Sequence, residues 1–208
     1  MAFRVCVLAD SLNCEGGRLT TFGIEFPREI LAEVNTHTIL SKNASSSRAI
    51  PVAKMIENIE KDPYIPEFAK NQKGMQAGNA LENAELDCAL AIWNRAKEAA
   101  IEHAADMSLL GAHKQIANRI IENYGWTRQV ITGTEWANFF GQRTHKDAHP
   151  AFQKLARLMY VAYGRSIPKG LINGQWHLPF INDTDRGMVC EFVKNQSDSR
   201  RCDIRIVF

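Results

Sequence analysis

The chain reads as an α+β fold in which a small antiparallel sheet packs against several helices. Three observations predict it. Residues 3–10 and 18–26 are strand-like and flank Asn13, Cys14, Glu15, Gly16 and Gly17, a turn-rich run that reads as a hairpin loop. Beyond Pro27 the apolar residues recur at helical spacing. The stretch 81–110 then offers one regular element much longer than any other.

The elements follow in order. Pro27 stands where the first turn of a helix tolerates it, and Ile30, Leu31, Val34 and Thr38 make an apolar stripe with His37 at its edge. This helix is expected to end near Leu40, because the hydroxyl and amide side chains of 41–47 compete for backbone partners and favour a loop. Pro51 opens a short helix through Met55 and Ile59, closed by Asp62, Pro63 and Pro66. Residues 67–78 read as an irregular loop. In 81–110, Leu86, Leu90, Trp93, Ala96, Ala100 and Ala104 form an i, i+4 ridge, with Gly111 as the stop. A helix over 113–123 is expected to turn Ile116, Ile120 and Ile121 inward and Gln115, Arg119 and Glu122 outward. Residues 128–133 read as a short strand, and Thr134 as the cap of a helix carrying Trp136, Phe139 and Phe140. A last helix over 150–163 is built on Phe152, Leu155, Leu158, Met159 and Ala162. The tail from Ile167 is rich in Gly, Pro and Asn and ends in the strand-like 202–208.

Composition narrows the function. A chain of 208 residues matches one domain of ordinary size, 1–208, with a proper core. A net charge of +2 gives no case for nucleic-acid binding. No apolar run approaches the ~20 residues that span a bilayer, and Asp10 comes too early for a signal peptide. The five cysteines are odd in number and widely spaced, which suits reduced thiols in a cytoplasm. His145 and His149 flank Asp147 but lack a third ligand at useful spacing, so no metal site is expected. The absence of G-x-S-x-G, P-loop and G-x-G-x-x-G patterns removes the commonest hydrolase, phosphotransferase and Rossmann readings.

The most informative stretch is 36–48. Eight of its thirteen residues are Ser, Thr, Asn or His, and Arg48 closes it. Hydroxyls and a guanidinium fork satisfy phosphate oxygens, and side-chain amides pair with base edges. The same residue types also make plain turns. A second polar and basic edge, Asn138 to Arg143, lies beside aromatics, and reads equally well as an amphipathic helix ending on a solvated Arg.

The order of residues in 36–48 resembles the signature of flavin-dependent thymidylate synthases, R-H-R-x-x-S-x-N-E-x-S-x-R. His37, Ser41, Asn43, Ser46 and Arg48 fall in register, while Thr36, Thr38 and Ala44 replace two Arg and a Glu. The similarity extends over roughly 18–180 and looks closest to a phage-like branch. Phe26-Pro27-Arg28, Gly111-x-His113-Lys114-Gln115, Glu135-Trp136-x-Asn138-Phe139-Phe140 and Trp176-His177-Leu178-Pro179 share in it. The family's Ala-Gln-Pro-Glu run stands here as Ala148-His149-Pro150-Ala151, and its Pro-Phe-Glu-His type segment is not found, so a C-terminal segment of the family is expected to be lacking.

The resemblance implies a flavin-dependent thymidylate synthase fold and a homo-oligomer, a tetramer, whose sites draw on several subunits. It implies transfer of a methylene from methylene-tetrahydrofolate to carbon five of dUMP, with FAD as hydride carrier and NADPH as reductant. By position, Glu33, Thr36, Ser45, Ser46, Arg48, Arg119 and Arg143 would line the dUMP site. Thr36, His37, Thr38, Asn43, Ala44, Thr132, Thr134 and Asn138 would lie along FAD. Arg143 would stabilise the negative charge that develops at N3 and the ring oxygens, and Arg48 would hold the phosphate. Two other readings stay open. One is a related methylase or hydroxymethylase acting on dCMP or dUMP, with Glu33 and His149 reading the base. The other is a non-catalytic nucleotide-binding homologue.

Overall fold

The structure is a computed structural model, and it describes residues 3–74, 76–181 and 184–185. Its sheet has five strands in the order β3 (Ser41–Ala44), β4 (Trp126–Gly133), β2 (Arg18–Pro27), β1 (Arg4–Leu12) and β5 (Lys169–Gly170). Strands β1 (Arg4–Leu12) and β2 (Arg18–Pro27) form the expected hairpin. Asn13 makes the turn: its Oδ1 accepts from Glu15 N at 3.0 Å and Gly17 N at 2.7 Å, while Gly16 takes φ +85°. The sheet is antiparallel except at its edge, where β5 (Lys169–Gly170) runs parallel to β1. It is therefore mixed.

Alternation along β2 divides the two faces. Phe22, Ile24 and Phe26 point to the helices and are buried with Ile131 of β4 (Trp126–Gly133). Across this face lie α5 (Trp136–Arg143), giving Trp136, Phe139 and Phe140, and α6 (Pro150–Arg165), giving Phe152, Leu155 and Met159. A second core joins Val52, Met55 and Ile59 of α2 (Val52–Lys61) to Ala104 of α3 (Asn83–Leu109) and to Ala117 and Ile121 of α4 (Lys114–Ile121). Helix α3 ends in a Schellman arrangement: Gly111 takes φ +81°, its N–H reaches Ser108 O, and Ala112 N–H reaches Met107 O. Along its ridge Leu86, Leu90, Trp93 and Ala100 are half-buried, Ala96 is exposed, and only Ala104 is buried.

Several local expectations are corrected. The helix after Pro27 is a 3-10 turn followed by a short α1 (Leu31–Asn35), not a helix to Leu40. Thr36 ends it: its Oγ1 donates to Glu33 O at 2.6 Å, and Lys42 Nζ donates to the carbonyls of His37 and Leu40. The polar stretch 41–47 is not a loop throughout, since 41–44 pair with β4 as β3 (Ser41–Ala44). On α4 the buried residues are Ala117, Asn118 and Ile121, whereas Ile116 and Ile120 face outward at 54% and 37% exposure. Glu122, expected outside, is buried in a 3-10 turn and is met by Arg28 at 3.5 Å and Arg119 at 2.8 Å. Thr134 does not cap α5; that helix begins after Glu135 without a side-chain cap. Leu158 is exposed. The strand expected over 202–208 lies outside the described residues.

Candidate active site

Arg143 closes α5 and His37 lies in the turn after α1, and the fold brings them together. Arg143 Nε donates to His37 Nε2 at 2.7 Å, and Nη2 reaches Thr36 Oγ1 at 3.4 Å. The guanidinium also stacks over Phe152, 4.7 Å from its centroid. His37 is buried edge-on against Phe139 and Phe152, at 4.9 and 5.8 Å between centroids. Burial, then the charges of Arg143 and Lys42, push its pKa down to about 4. The ring is therefore neutral at pH 7. A neutral imidazole that accepts at Nε2 carries its proton at Nδ1.

Arg143 borders a cleft of about 990 Å³, and His37 holds it from behind the cleft wall. Glu29 and Glu33, four residues apart and on one face of the 3-10 and α1 segment, line it with Arg143. Glu33 Oε2 is buried and has no hydrogen-bond partner among the described residues. Glu29 accepts a short hydrogen bond from the buried Tyr64 hydroxyl, whose pKa burial and Glu29 push up. Lys146 and His149 line the cleft beside Arg143. Sequence reasoning missed Glu29 and Tyr64. The i, i+4 spacing of Glu29 and Glu33 was the available signal.

The remaining expected site residues lie elsewhere. Asn43, Ala44 and Ser45 border a shallow groove of about 500 Å³ on the outer face of the sheet, together with Gly23, Arg4 and Arg128. Ser45 Oγ accepts from Arg128 N and contacts Thr127 Oγ1, both at 3.2 Å. Ser46 Oγ accepts from Arg48 N at 3.3 Å, opening the 3-10 turn Ser47–Ala49. That turn is anchored from α4: Asn118 Nδ2 donates to Ser47 O at 2.8 Å and Ile50 O at 2.9 Å. Arg48 is exposed, and Arg119 is engaged with Glu122. Thr132 bonds Thr21 across the strands at 2.8 Å. Thr38 and Thr134 are exposed, as is Asn138, which accepts from Gln142 at 3.1 Å. Ser45, Ser46, Arg48 and Arg119 do not line the Arg143 cleft of the same chain. Among the described residues no three His, Cys, Asp or Glu side chains are grouped to hold a metal ion, and no helix is long and apolar enough to cross a membrane.

An α+β sheet-and-helix frame thus carries a guanidinium clamped by a histidine and a phenylalanine at the wall of a polar cleft. Residues 19–169 match the family described as thymidylate synthase complementing protein, and the chain belongs to that family. Two solved structures share the fold, both of a UMP/dUMP methylase, PolB, from Streptomyces cacaoi. The form bound with 5-Br dUMP is 15% identical, with a TM-score of 0.63, over 79% of this chain and 90% of that one. The form bound with 5-Br UMP is 16% identical, with a TM-score of 0.61, over 79% and 89%. A comparison with curated proteins gave no match.

Proposed function

We propose that the chain is a flavin-dependent pyrimidine nucleotide methylase, and specifically a thymidylate synthase that converts dUMP to dTMP. The observation that carries this reading is the clamp on Arg143. A guanidinium fixed by His37 and Phe152, with Nη1 free of partners among the described residues, is a preorganised cation at the wall of an open cleft. Aimed at the pyrimidine edge, it stabilises charge at N3 and the ring oxygens, which makes carbon five nucleophilic. Its own proton is not surrendered, because guanidinium stays charged. Family membership and the fold shared with a UMP/dUMP methylase support the substrate class.

FAD, when bound, would supply the hydride, with NADPH as reductant and methylene-tetrahydrofolate as carbon donor. The residues present suit a flavin dinucleotide: Thr38, Asn43 and Thr134 are exposed and their side chains lack partners among the described residues. They would meet its polar edges, with Thr36, Ala44 and Asn138 alongside. His37 would act indirectly, by holding Arg143. Since Ser45, Ser46, Arg48 and Arg119 lie away from the Arg143 cleft, we assign them to the phosphate side of a site completed by another subunit in a homotetramer. Exposed free thiols at Cys6, Cys14 and Cys88 suit a reducing cytoplasm.

One observation favours a second base. Glu33 and His149 share the cleft with Arg143, and the unpartnered Glu33 oxygen is an acceptor that suits the exocyclic amine of cytosine. The experiment is tritium release from carbon-five-labelled dUMP and dCMP, with FAD, NADPH and methylene-tetrahydrofolate supplied, alongside the visible spectrum of the purified protein. A flavin band and release from dUMP are expected. Release from dCMP alone transfers the assignment to cytosine, and binding of nucleotide without release from either overturns the enzyme reading.

A further inference from the structure

His177 lies in the segment after β5, and both of its ring nitrogens are engaged by hydroxyls. Nδ1 is 2.8 Å from Ser11 Oγ on β1, and Nε2 is 2.8 Å from Thr21 Oγ1 on β2. Thr21 Oγ1 is in turn 2.8 Å from Thr132 Oγ1, its direct partner across the β2–β4 ladder. Four side chains thus form one unbroken chain from the terminal segment across three neighbouring strands. Ser11 and Thr21 are buried, and the two members of the chain open to its surroundings, His177 and Thr132, are half-buried. The flanking aromatics do not seat this segment, since Trp176 and Phe180 are 73% and 67% exposed. Its attachments are polar: the imidazole bonds and the Leu171 N–H donating to Leu12 O at 2.8 Å.

The chain has a direction, and the imidazole sets it. A neutral ring has one donor and one acceptor, and each hydroxyl has one proton to give. With the proton on Nε2, His177 donates to Thr21, Thr21 donates to Thr132, and the Thr132 proton is released outward. With the proton on Nδ1, His177 donates to Ser11 and accepts from Thr21. Thr21 then accepts from Thr132, which is left presenting a lone pair. Burial pushes the His177 pKa down against the opposing pull of Asp10, so the neutral tautomers are the relevant species at pH 7.

We propose that His177 is a positioning residue whose tautomer decides whether Thr132 offers its ligand a hydrogen-bond donor or an acceptor, through the Ser11–His177–Thr21–Thr132 chain. The functional meaning rests on the flavin reading proposed above, with Thr132 along the flavin as the family resemblance implies. The coupling itself does not.

The test uses the full chain with ¹⁵N-labelled histidine. Thr132→Val leaves the Thr21 hydroxyl no strand partner to donate to, which favours the Nδ1–H form. Ser11→Ala removes the acceptor for Nδ1–H, which favours Nε2–H. The two changes push in opposite directions, so whichever form the parent holds, one of them has to move the His177 tautomer ratio by about threefold or more. Ring ¹⁵N shifts unchanged in both variants overturn the proposal. FAD affinity, followed by flavin fluorescence, reads the consequence. Thr21→Val is expected to weaken FAD about as much as Thr132→Val, and the double variant no more than either. A Thr21→Val protein with parental FAD affinity shows the chain to be only a structural tie. If the parent takes up no flavin but the ring shifts respond, the flavin reading fails and the hydroxyl coupling stands.

Discussion

Arg143 Nε donates to His37 Nε2 at 2.7 Å, joining two residues 106 positions apart and setting the last turn of α5 against the turn that follows α1. The bond uses the neutral imidazole as an acceptor, so the histidine orients the arginine without competing with it for charge. Phe152 beneath the guanidinium removes the other freedom, rotation out of the cleft wall.

Arg143→Lys keeps the charge and loses the planar fork, the Nε–H that meets His37 included. Nucleotide affinity is expected to change little, since a cation remains at the cleft. Turnover should fall by about 10²- to 10³-fold, the usual loss on removing one preorganised donor. Tritium release at saturating dUMP measures it, and a variant within a few-fold of the parent would reduce Arg143 to a binding residue.

His37 also makes stability depend on pH. In the unfolded chain the ring takes up a proton near its ordinary 6.5, and in the fold only at about 4. Between those values the unfolded state binds more protons, so stability falls as pH drops from about 6.5 to about 4. Below that window this residue adds no further slope. His37→Gln keeps an acceptor for Arg143 but cannot titrate. The Tm difference between parent and variant should therefore shrink on acidification through this window, and parallel Tm curves would show that the ring is not held neutral.

How far these contacts were legible in the sequence depends on how local their causes are. The β1–β2 hairpin was readable because Asn13 and Gly16 supply its turn chemistry within five residues. The polar strand β3 was not, because what makes it a strand is the backbone of β4, far along the chain. The rotation of α4 has the same origin. Asn118 faces inward because the carbonyls of Ser47 and Ile50 need a donor, and this displaces Ile116 and Ile120 from the interior. Around the cleft, the family resemblance pointed to Arg143, Glu33 and His37 by position. The division of labour, with His37 holding Arg143 and Tyr64 holding Glu29, exists only in three dimensions.

Gly133, the last residue of β4, stands at a point with no room for a side chain. A Cβ there would lie 2.4 Å from Leu40 Cδ2, and Leu40 is itself buried. Gly133→Ala is expected to cost about 1–3 kcal/mol through overpacking. Urea denaturation should show part of that loss recovered in the Gly133→Ala/Leu40→Ala double variant relative to the sum of the singles. Strict additivity would place the strain elsewhere.

Asn118→Ala removes the only side-chain donor that holds the carbonyls of Ser47 and Ile50 among the described residues. Ser47 O keeps the Ile50 N–H at 3.2 Å, but Ile50 O loses its Asn118 donor, and leaving a part-buried acceptor unsatisfied costs about 1–3 kcal/mol. Because the affected turn carries Arg48, hydrogen exchange should rise at the amides of 47–50 while those of β1 and β2 keep their protection. Uniform loss of protection would mean that Asn118 supports the whole fold rather than this turn.

Arg48→Ala tests the far side of the proposed site. Arg48 is exposed, with its backbone fixed by Ser46 Oγ and by Asn118 beneath the turn, and its guanidinium is free of partners among the described residues. A fork held at its base and free at its tip suits a phosphate better than a structural ion pair. A charged hydrogen bond of this kind contributes about 1.5–3 kcal/mol, or roughly ten- to a hundredfold in affinity. Calorimetry should therefore show dUMP binding weakened by that factor and deoxyuridine binding almost unchanged. Equal losses for the two would mean that Arg48 reads the sugar or base, or supports the turn. In a protein that scatters light only as a monomer, the same result would remove the shared-subunit arrangement, because Arg48 would have no Arg143 cleft of a neighbour to complete.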